Sequence, residues 1–311
     1  MRILFLGSGA FACPCLERLA GRPGDMIVGV VAQPDRPAGR GLAARSCPAA
    51  ELARRLGLPL RTPDRVNAPE EAAALTALRP DLVVVAAYGQ LLKPHLLALA
   101  PMGAINVHPS LLPRYRGAAP IQWAIANGDT ETGVTVQFMV ERMDAGDIIL
   151  VERAPVLPDD TAGSLEPRLA RLGAELLDRV LDLFQRPPVP RTPQDEGQAT
   201  YARKLTREDG RLDWRLPAAS LHNRIRGFHP WPGCFTLYGP PPGRVLKVHA
   251  ARVEEGRGEP GRVLEIAGEG PLVATGDNAL RLLTVQPEGR PIMDGSAFCR
   301  GHGRLLGDRL A

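Results

Sequence analysis

Short, uninterrupted apolar runs in the first 90 residues constrain the fold of this chain most; they lie at residues 1–6, 26–32 and 82–87. A strand buried on both faces is a continuous apolar run, whereas a strand with one solvated face alternates apolar and polar residues. Helical patterns at residues 12–20 and 49–56 separate these runs. Strands that alternate with helices predict an α/β domain with a parallel sheet and right-handed crossovers.

The pattern continues to residue 184 and then changes. Two further strands are predicted at residues 104–107 and 133–139, and a long amphipathic helix at 165–184. A stretch with four prolines follows, which is typical of a linker. Beyond it, short strand-like runs between Gly/Pro turns have the spacing of a small β-barrel; they are residues 234–237, 245–253, 261–266, 271–274 and 280–285. We therefore predict three parts: an α/β domain (1–185), a linker (186–205) and a β-barrel domain (206–311).

Charge is distributed unevenly between these parts. Residues 1–185 carry 19 basic and 20 acidic side chains, whereas residues 186–311 carry 19 and 14. This mild surplus indicates an anionic partner for the C-terminal part. Only three of the 38 basic residues are lysines, a bias typical of a GC-rich genome. Arginine content alone is therefore no sign of phosphate recognition.

The cysteines and the N-terminus indicate a cytoplasmic protein. The five cysteines have no C-x-x-C spacing, so we predict reduced thiols and no structural zinc site. Arg2 and the following apolar residues imitate a secretory signal, but the apolar run breaks at Gly7-Ser8-Gly9, which favours a buried first strand. No run of 18 apolar residues is present, so no transmembrane helix is expected.

The segment Gly7-Ser8-Gly9-Ala10-Phe11-Ala12 resembles a dinucleotide-binding loop, because it follows a strand and opens a helix. That motif expects an acidic residue at the end of the second strand, to bind the ribose. Here the second strand runs into Val31-Ala32-Gln33-Pro34, and Asp35 lies in a loop. We therefore expect no NAD or NADP site, and a tight turn that borders a cleft.

Polar side chains at the end of the fourth predicted strand carry the chemistry. Asn106 and His108 are alternate residues, so they project from one face, and Asp144 follows the next strand. An amide and an imidazolium can donate to the oxyanion that forms when an amine attacks a carbonyl carbon; each such donor is worth about 10²–10³ in rate. The carboxylate would hold the imidazole protonated, or manage the proton that leaves the amine. Because no serine or cysteine has an obvious partner base, we predict direct transfer between two bound substrates.

These residues resemble the folate-dependent formyltransferase superfamily, whose hallmark is Asn-x-His followed by Ser-Leu-Leu-Pro and a later Asp-x-Gly. Four further segments resemble motifs of the superfamily members that act on initiator methionyl-tRNA. They lie at residues 33–41, 116–121, 201–205 and 228–233, so that the resemblance covers nearly the whole chain.

The resemblance implies a Rossmann-like parallel-sheet domain followed by a small OB-like β-barrel domain. It implies an enzyme that transfers the formyl group of 10-formyltetrahydrofolate to the α-amino group of methionine on initiator tRNA, with no metal and no NAD. A cytoplasmic monomer is expected. The implied catalytic residues are Asn106, His108 and Asp144. The implied folate contacts are Ser110, Leu111, Leu112, Pro113, Tyr88, Gly89, Gln90, Leu91 and Leu92. The implied tRNA contacts lie in the loop at residues 34–47 and are Arg36, Arg40 and Arg45.

The chain departs from the family pattern in three respects: its C-terminal surplus of basic residues is modest, which implies few tRNA contacts, and two segments differ in sequence. Leu42-Ala43-Ala44-Arg45 replaces the usual lysines of the tRNA loop, and Gly7-Ser8-Gly9-Ala10-Phe11-Ala12 lacks the acid of the usual Gly-Thr-Pro-Asp-Phe-Ala. Three rival functions fit parts of the sequence. The rivals are a sugar-nucleotide amine formyltransferase, a formyltetrahydrofolate hydrolase and a non-catalytic RNA-binding module. The loop at residues 33–41 and the C-terminal charge argue against the first two. The intact Asn-x-His with its distal Asp144 argues against the third.

Overall fold

The computed structural model describes residues 1–38, 43–302 and 305–311. The described chain divides into two compact units, each assembled from separate stretches of sequence. The first unit contains residues 1–120, 131–155 and 166–202, and the second contains 121–130, 156–165 and 203–311. The predicted domain division at residues 185 and 205 stays a prediction.

The described residues up to 202 form eleven strands and six α-helices. The strands are β1 (Arg2–Gly7), β2 (Met26–Val31), β3 (Arg36–Ala38), β4 (Ala43–Arg45), β5 (Leu60–Arg61), β6 (Leu82–Ala86), β7 (Ala104–His108), β8 (Arg116–Gly117), β9 (Glu131–Phe138), β10 (Ile148–Pro155) and β11 (Tyr201–Ala202). The helices are α1 (Ala12–Ala20), α2 (Pro48–Arg55), α3 (Pro69–Ala77), α4 (Pro94–Leu97), α5 (Pro120–Ala126) and α6 (Ala162–Phe184).

The first unit is built on a seven-stranded sheet in the order β10-β9-β7-β6-β1-β2-β5. The strands from β7 to β5 in this order are parallel, which confirms the α/β class. The direction of β9 differs from the prediction, because it runs antiparallel to β7, and β10 runs antiparallel to β9. An apolar run records burial and not direction, so the sequence pattern could not distinguish the two pairings.

Burial on both faces explains the continuous apolar runs. On one face, Leu4 and Leu6 of β1 belong to a core cluster with Leu75 of α3 and Leu96 of α4. The neighbouring side chains in β1, such as Phe5, point to the other face and are also fully buried. Because a parallel sheet needs cover on both sides, its strands have no polar alternation.

The strands of the second unit are β12 (Cys234–Tyr238), β13 (Arg244–Glu254), β14 (Val263–Ala267), β15 (Gly270–Ala274), β16 (Ala279–Pro287) and β17 (Met293–Asp294), and its helices include α7 (Ala218–Gly227) and α8 (Gly295–Gly301). The strands form an antiparallel sheet in the order β12-β13-β16-β15-β14, with β17 paired to β16. All five strand-like runs of the C-terminal region are therefore confirmed as strands.

The last residues of the chain connect the two outer strands of this sheet. Leu237 in β12 and Ala311 exchange two backbone hydrogen bonds, of 2.7 and 3.0 Å. On the other side, the Leu310 N–H donates to the Gly261 carbonyl at 2.8 Å, and the Val263 N–H of β14 donates to the Asp308 carbonyl. Backbone groups on both outer strands are thereby paired by one terminal segment.

Within the described ranges, no helix combines the length and the apolar character that crossing a membrane requires. All five cysteines are free thiols. Burial raises the pKa of the Cys15 and Cys234 thiols to about 12, so both are protonated side chains at neutral pH.

Candidate active site

The structure brings the three predicted catalytic residues together at the carboxyl end of β7. Asn106 and His108 share one face of this strand, and Asp144 lies in the turn between β9 and β10. The Asn106 Nδ2 donates to Asp144 Oδ1 at 3.4 Å, and His108 Nδ1 lies 3.7 Å from Asp144 Oδ2. Two side chains from the end of one strand therefore converge on a single carboxylate.

The Asp144 carboxylate accepts hydrogen bonds from three N–H groups. Besides Asn106, the Gly117 backbone N–H donates to Oδ2 at 2.8 Å, and Gln137 Nε2 donates to Oδ1 at 3.2 Å. An ionised carboxylate only accepts hydrogen bonds, so this set of donors matches the charged form. Asp144 therefore brings negative charge next to His108.

The His108 imidazole is held in one orientation. The ring is 4% exposed, and its Nε2 lies 2.9 Å from the Tyr115 carbonyl oxygen. Because a carbonyl oxygen only accepts, Nε2 carries a hydrogen, and Nδ1 is the nitrogen that faces Asp144. Protonation at Nδ1 would turn the ring into an imidazolium with a carboxylate beside it.

Unusual backbone conformations shape this carboxylate site. Asp144 has φ of +51° and Gly117 has φ of +118°. A Cβ at Gly117 would lie 2.7 Å from the Ala202 carbonyl oxygen, and a Cβ at Gly146 would lie 1.9 Å from the Phe138 carbonyl oxygen. The glycine in Asp-x-Gly is thus required by close packing of two backbone segments. A non-glycine residue at positive φ persists only where its surroundings hold it.

The buried guanidinium of Arg116 binds residues that contact the turn containing Asp144. Arg116 is 1% exposed, and it donates to Gln194 Oε1 at 2.8 and 3.0 Å and to the Glu196 carboxylate at 2.9 and 3.1 Å. Glu196 also pairs with Arg142. Hydrogen bonds from Arg116 and then Arg142 lower the pKa of Glu196 to about 2.

Asn106, His108 and Asp144 line a cavity of about 330 Å³ in the first unit. Residues 88–92 also line it, together with apolar side chains that include Val140 and Met143. Tyr88 is 2% exposed, and its hydroxyl has no hydrogen-bond partner among the described residues. Burial, and then the charge of Glu71, raise the pKa of Tyr88 well above its usual value, so the phenol stays neutral. Apolar walls beside three converging polar groups are typical of a site for an organic substrate.

The predicted folate residues fall into two groups. Tyr88, Gly89, Gln90, Leu91 and Leu92 all line the cavity. The Gln90 amide does so while hydrogen-bonded to the backbone of the turn at residues 63–66.

Ser110, Leu111, Leu112 and Pro113 are absent from the described residues that line the cavity. The Ser110 Oγ donates to the Arg114 carbonyl at 2.6 Å, and the Leu112 N–H donates to Thr135 Oγ1 at 3.2 Å. This turn leads into Tyr115, whose carbonyl orients His108. Its contacts show a role in holding the site, and its folate role stays a prediction.

The predicted tRNA contacts lie on a two-stranded hairpin formed by β3 and β4. Arg45 is exposed and pairs through its backbone with Arg36. Arg40 lies outside the described residues, and so does the side chain of Arg36. Their contact with tRNA stays a prediction.

Residues that the sequence analysis missed complete the site. Gln137 in β9 lies opposite Asn106 in β7, and Thr135 lies opposite His108. Both are buried polar side chains that alternate with the apolar residues Val134, Val136 and Phe138, a signal that could have identified them. Gln194 lies in the predicted linker, where nothing in the sequence pattern pointed to a role.

Comparison with known proteins agrees with this geometry. Residues 1–181 match the family described as formyl transferase, and residues 204–303 match the formyl transferase C-terminal domain. The chain belongs to the formyl transferase family. A methionyl-tRNA formyltransferase of Anaeromyxobacter dehalogenans (strain 2CP-C) is 50% identical over 306 residues, which cover 97% of each chain.

Solved structures share the fold at lower identity. HypX from Aquifex aeolicus in complex with tetrahydrofolic acid has a TM-score of 0.61 at 22% identity, over 99% of this chain and 48% of its own. An N-formyltransferase from Helicobacter canadensis, in complex with folinic acid and dTDP-3-aminofucose, has a TM-score of 0.66 at 16% identity. The matched residues cover 91% of this chain and 99% of that one. At these identities the likeness concerns the fold alone.

Proposed function

We propose that this chain transfers the formyl group of 10-formyltetrahydrofolate to the α-amino group of methionine on initiator tRNA. The observation that carries the proposal is the convergence of Asn106, His108 and Asp144 at the wall of one cavity. The relative with 50% identity over 97% of the chain selects the acceptor. The fold of the tetrahydrofolic acid complex supports the choice of a folate as formyl carrier.

The cavity fits a folate carrier by its composition. Residues 88–92 and apolar side chains on β9 and the following turn provide walls for a flat aromatic group. The polar residues lie together on one side, where a formyl group on the carrier would be presented. The carrier is a co-substrate in this scheme, and the chain's own residues bind and orient it.

Asn106 and His108 stabilise the charge that develops on the formyl oxygen. The neutral amine of methionine attacks the formyl carbon, and the carbonyl oxygen gains negative charge as the new C–N bond forms. The Asn106 amide and a protonated His108 Nδ1 donate to this oxygen, and preorganised donors are usually the largest single contribution to such reactions. The C–N bond to the carrier then breaks, and tetrahydrofolate leaves.

Asp144 has two roles in this scheme. Its carboxylate lies 3.7 Å from His108 Nδ1, so its negative charge offsets the positive charge of the ring when that nitrogen carries a proton. The attacking amine must lose a proton as the amide forms, and the leaving nitrogen must gain one. The Asp144 carboxylate can accept the first proton, the His108 imidazolium can give its Nδ1 proton to the leaving nitrogen, and transfer of the proton from Asp144 to Nδ1 then restores both groups.

The transfer reaction with three acceptors tests the proposal. The protein is incubated with 10-formyltetrahydrofolate and with methionyl-initiator tRNA, uncharged initiator tRNA or an amino sugar nucleotide. We expect formylmethionine only with the charged tRNA, and rates that fall as salt is added, since tRNA contacts are largely to phosphates. Formylation of the sugar would instead indicate a sugar-nucleotide acceptor, the class of molecule that is bound in the Helicobacter structure. Release of formate without any acceptor would indicate a hydrolase.

The same proposal also specifies the partners, the oligomeric state and the location of the protein. Initiator methionyl-tRNA and the folate are the two partners, and the protein acts as a cytoplasmic monomer without a metal ion or a nicotinamide. The C-terminal charge surplus and Arg45 supply electrostatic attraction for tRNA. Size-exclusion chromatography with light scattering, with and without tRNA, tests the monomer.

A further inference from the structure

Gln194 makes an unusual number of contacts for a residue in a predicted linker. Its Nε2 lies 2.9 Å from Gln137 Oε1, 2.8 Å from the Asp144 carbonyl and 2.7 Å from the Gly146 carbonyl. Its Oε1 accepts two hydrogen bonds from Arg116. Both ends of one amide are therefore fully used within the first unit.

The direction of these hydrogen bonds is fixed by chemistry. The guanidinium of Arg116 only donates and backbone carbonyls only accept, so the Gln194 amide has a single allowed orientation. The two hydrogens on its nitrogen are shared among the Asp144 and Gly146 carbonyls and Gln137 Oε1, so the oxygen end of the Gln137 amide faces Gln194 and its nitrogen end donates to Asp144 Oδ1. The chain Arg116–Gln194–Gln137 thus delivers an N–H, and not an oxygen, to the Asp144 carboxylate.

Gln194 also holds the backbone of the same turn. It contacts the carbonyls of Asp144 and Gly146, on either side of Ala145, while Asp144 has φ of +51°. Such a conformation is unfavourable for a residue with a Cβ and needs outside support. One side chain therefore acts on both the carboxylate and the backbone of Asp144.

We propose that Gln194 is the positioning residue for Asp144 in formyl transfer, which rests on the function proposed above. It does not line the cavity, so it acts through Asp144 and not on the substrates. Removing it should lower kcat and leave both KM values nearly unchanged. A misplacement of about 1 Å at a reacting group costs up to about 10²-fold in rate.

Substitutions at Gln194 and at a matched glutamine four residues away test this role. Gln194→Met keeps the size of the side chain and removes both polar ends. Gln194→Glu keeps the acceptor for Arg116 and removes the donors. Gln198→Met is the control, because Gln198 is exposed and hydrogen-bonds to Asp195. We expect kcat to fall about 10–100-fold in both Gln194 variants, with KM for each substrate within threefold. The control should stay within twofold of wild type. A Gln194→Met enzyme with more than half of the wild-type kcat overturns the proposal.

A double-mutant cycle with Asp144→Asn separates positioning from a general structural role. If Gln194 acts through Asp144, adding Gln194→Met to Asp144→Asn should change the single-turnover rate by less than threefold. Losses that multiply would overturn the proposal, because Gln194 would then act independently of Asp144. The thermal unfolding of each variant is measured alongside its activity. Gln194→Glu replaces Gln194→Met in the cycle if the latter is strongly destabilised, and unfolding of both variants counts against the proposal.

The wild-type protein distinguishes failure of this inference from failure of the proposed function. If it formylates methionyl-tRNA and the cycle is additive, only the role of Gln194 is wrong. If it formylates an amino sugar nucleotide or releases formate, the proposed function is wrong. The same cycle, run on that reaction, still decides whether Gln194 acts through Asp144.

Discussion

The ends of β1 and β7 lie on the same edge of one sheet, separated by β6, and both carry polar residues, yet they differ in how those groups are used. At the end of β1, the N–H groups of Ser8 and Gly9 both donate to the Ala87 carbonyl at 3.2 Å. The Ser8 hydroxyl donates to the Tyr88 carbonyl and accepts from the Gln33 N–H. At the end of β7, the side chains of Asn106 and His108 line the cavity.

This difference shows what separates a glycine-rich turn from a ligand site. In a dinucleotide-binding loop the backbone N–H groups at the helix start are available to a phosphate. Here those of Ser8 and Gly9 both donate to the carbonyl of Ala87, a residue that lines the cavity. The end of β1 therefore contributes structure, and the end of β7 contributes chemistry.

Removing the polar groups at the end of β7 should have the largest effect. We expect Asn106→Ala, His108→Ala and Asp144→Ala each to lower kcat about 10²–10³-fold, because each removes a donor or the charge that supports one. Binding of methionyl-tRNA, measured by filter retention, should change less than threefold. Retention of full activity in all three variants would remove the assignment of this strand end as the reacting site.

The sequence revealed the end of β7 because its signal is local. Asn106 and His108 are two residues apart in one strand, so strand geometry alone placed them on one face. Asp144 comes directly after the next predicted strand, and it was expected beside them on the assumption of a parallel strand, whereas β9 is antiparallel to β7. The positions of the buried strands were predicted for the same reason, since continuous apolar runs record burial. These predictions needed no knowledge of distant contacts.

What the sequence did not reveal depends on contacts between distant segments. β10 was missed because only Ile149 and Ala154 are buried in it, and Glu152 and Arg153 lie between them and break the apolar run. α7 was missed because it contains several polar residues and begins after a proline. Gln194 acts on residues 48 to 78 positions away, and no local pattern encodes such a contact.

At the end of β1, a substitution should reduce stability and spare catalysis. A Cβ at Gly7 would lie 2.6 Å from the Phe5 ring and 2.8 Å from the Ala12 Cβ, and both neighbours are buried. Gly7→Ala should therefore destabilise the protein by about 1–3 kcal/mol through overpacking. Urea denaturation measures this loss, and kcat at 25 °C should stay within threefold of wild type.

Gly21→Ala is the matched control for this substitution. Gly21 follows α1 with φ of −89°, and the nearest atom to its added Cβ would be 3.7 Å away. We expect little change in stability there. If Gly7→Ala instead lowered kcat 100-fold without loss of stability, the β1 end would belong to the reacting site, and the contrast with β7 would fail.

A smaller effect is expected from Ser8→Ala. The hydroxyl makes two hydrogen bonds, to the Tyr88 carbonyl at 2.9 Å and from the Gln33 N–H at 3.0 Å, and Ser8 is 8% exposed. Its loss should cost about 1 kcal/mol in the free energy of unfolding. Because Tyr88 lines the cavity, KM for the folate should rise modestly while kcat is kept. An unchanged unfolding curve would show that these two contacts contribute nothing to the fold.

The smallest expected effect is a change in stability at acidic pH. It concerns Glu196, which supports the residues around Asp144. Hydrogen bonds from Arg116 and Arg142 lower the pKa of Glu196 to about 2, from an ordinary value of 4.5. A carboxyl whose pKa is lower in the folded state stabilises that state above its unfolded pKa, and the contribution disappears as the pH falls towards the folded value. Glu196→Gln should therefore lose less stability than wild type between pH 5 and pH 2. Glu196 is an exposed side chain, so screening keeps the difference small.

Thermal unfolding at pH 5 and pH 2 measures this difference, with the exposed Glu255→Gln as control. Equal losses in wild type and Glu196→Gln would mean that the Arg116–Glu196 pair contributes nothing to the stability of the protein.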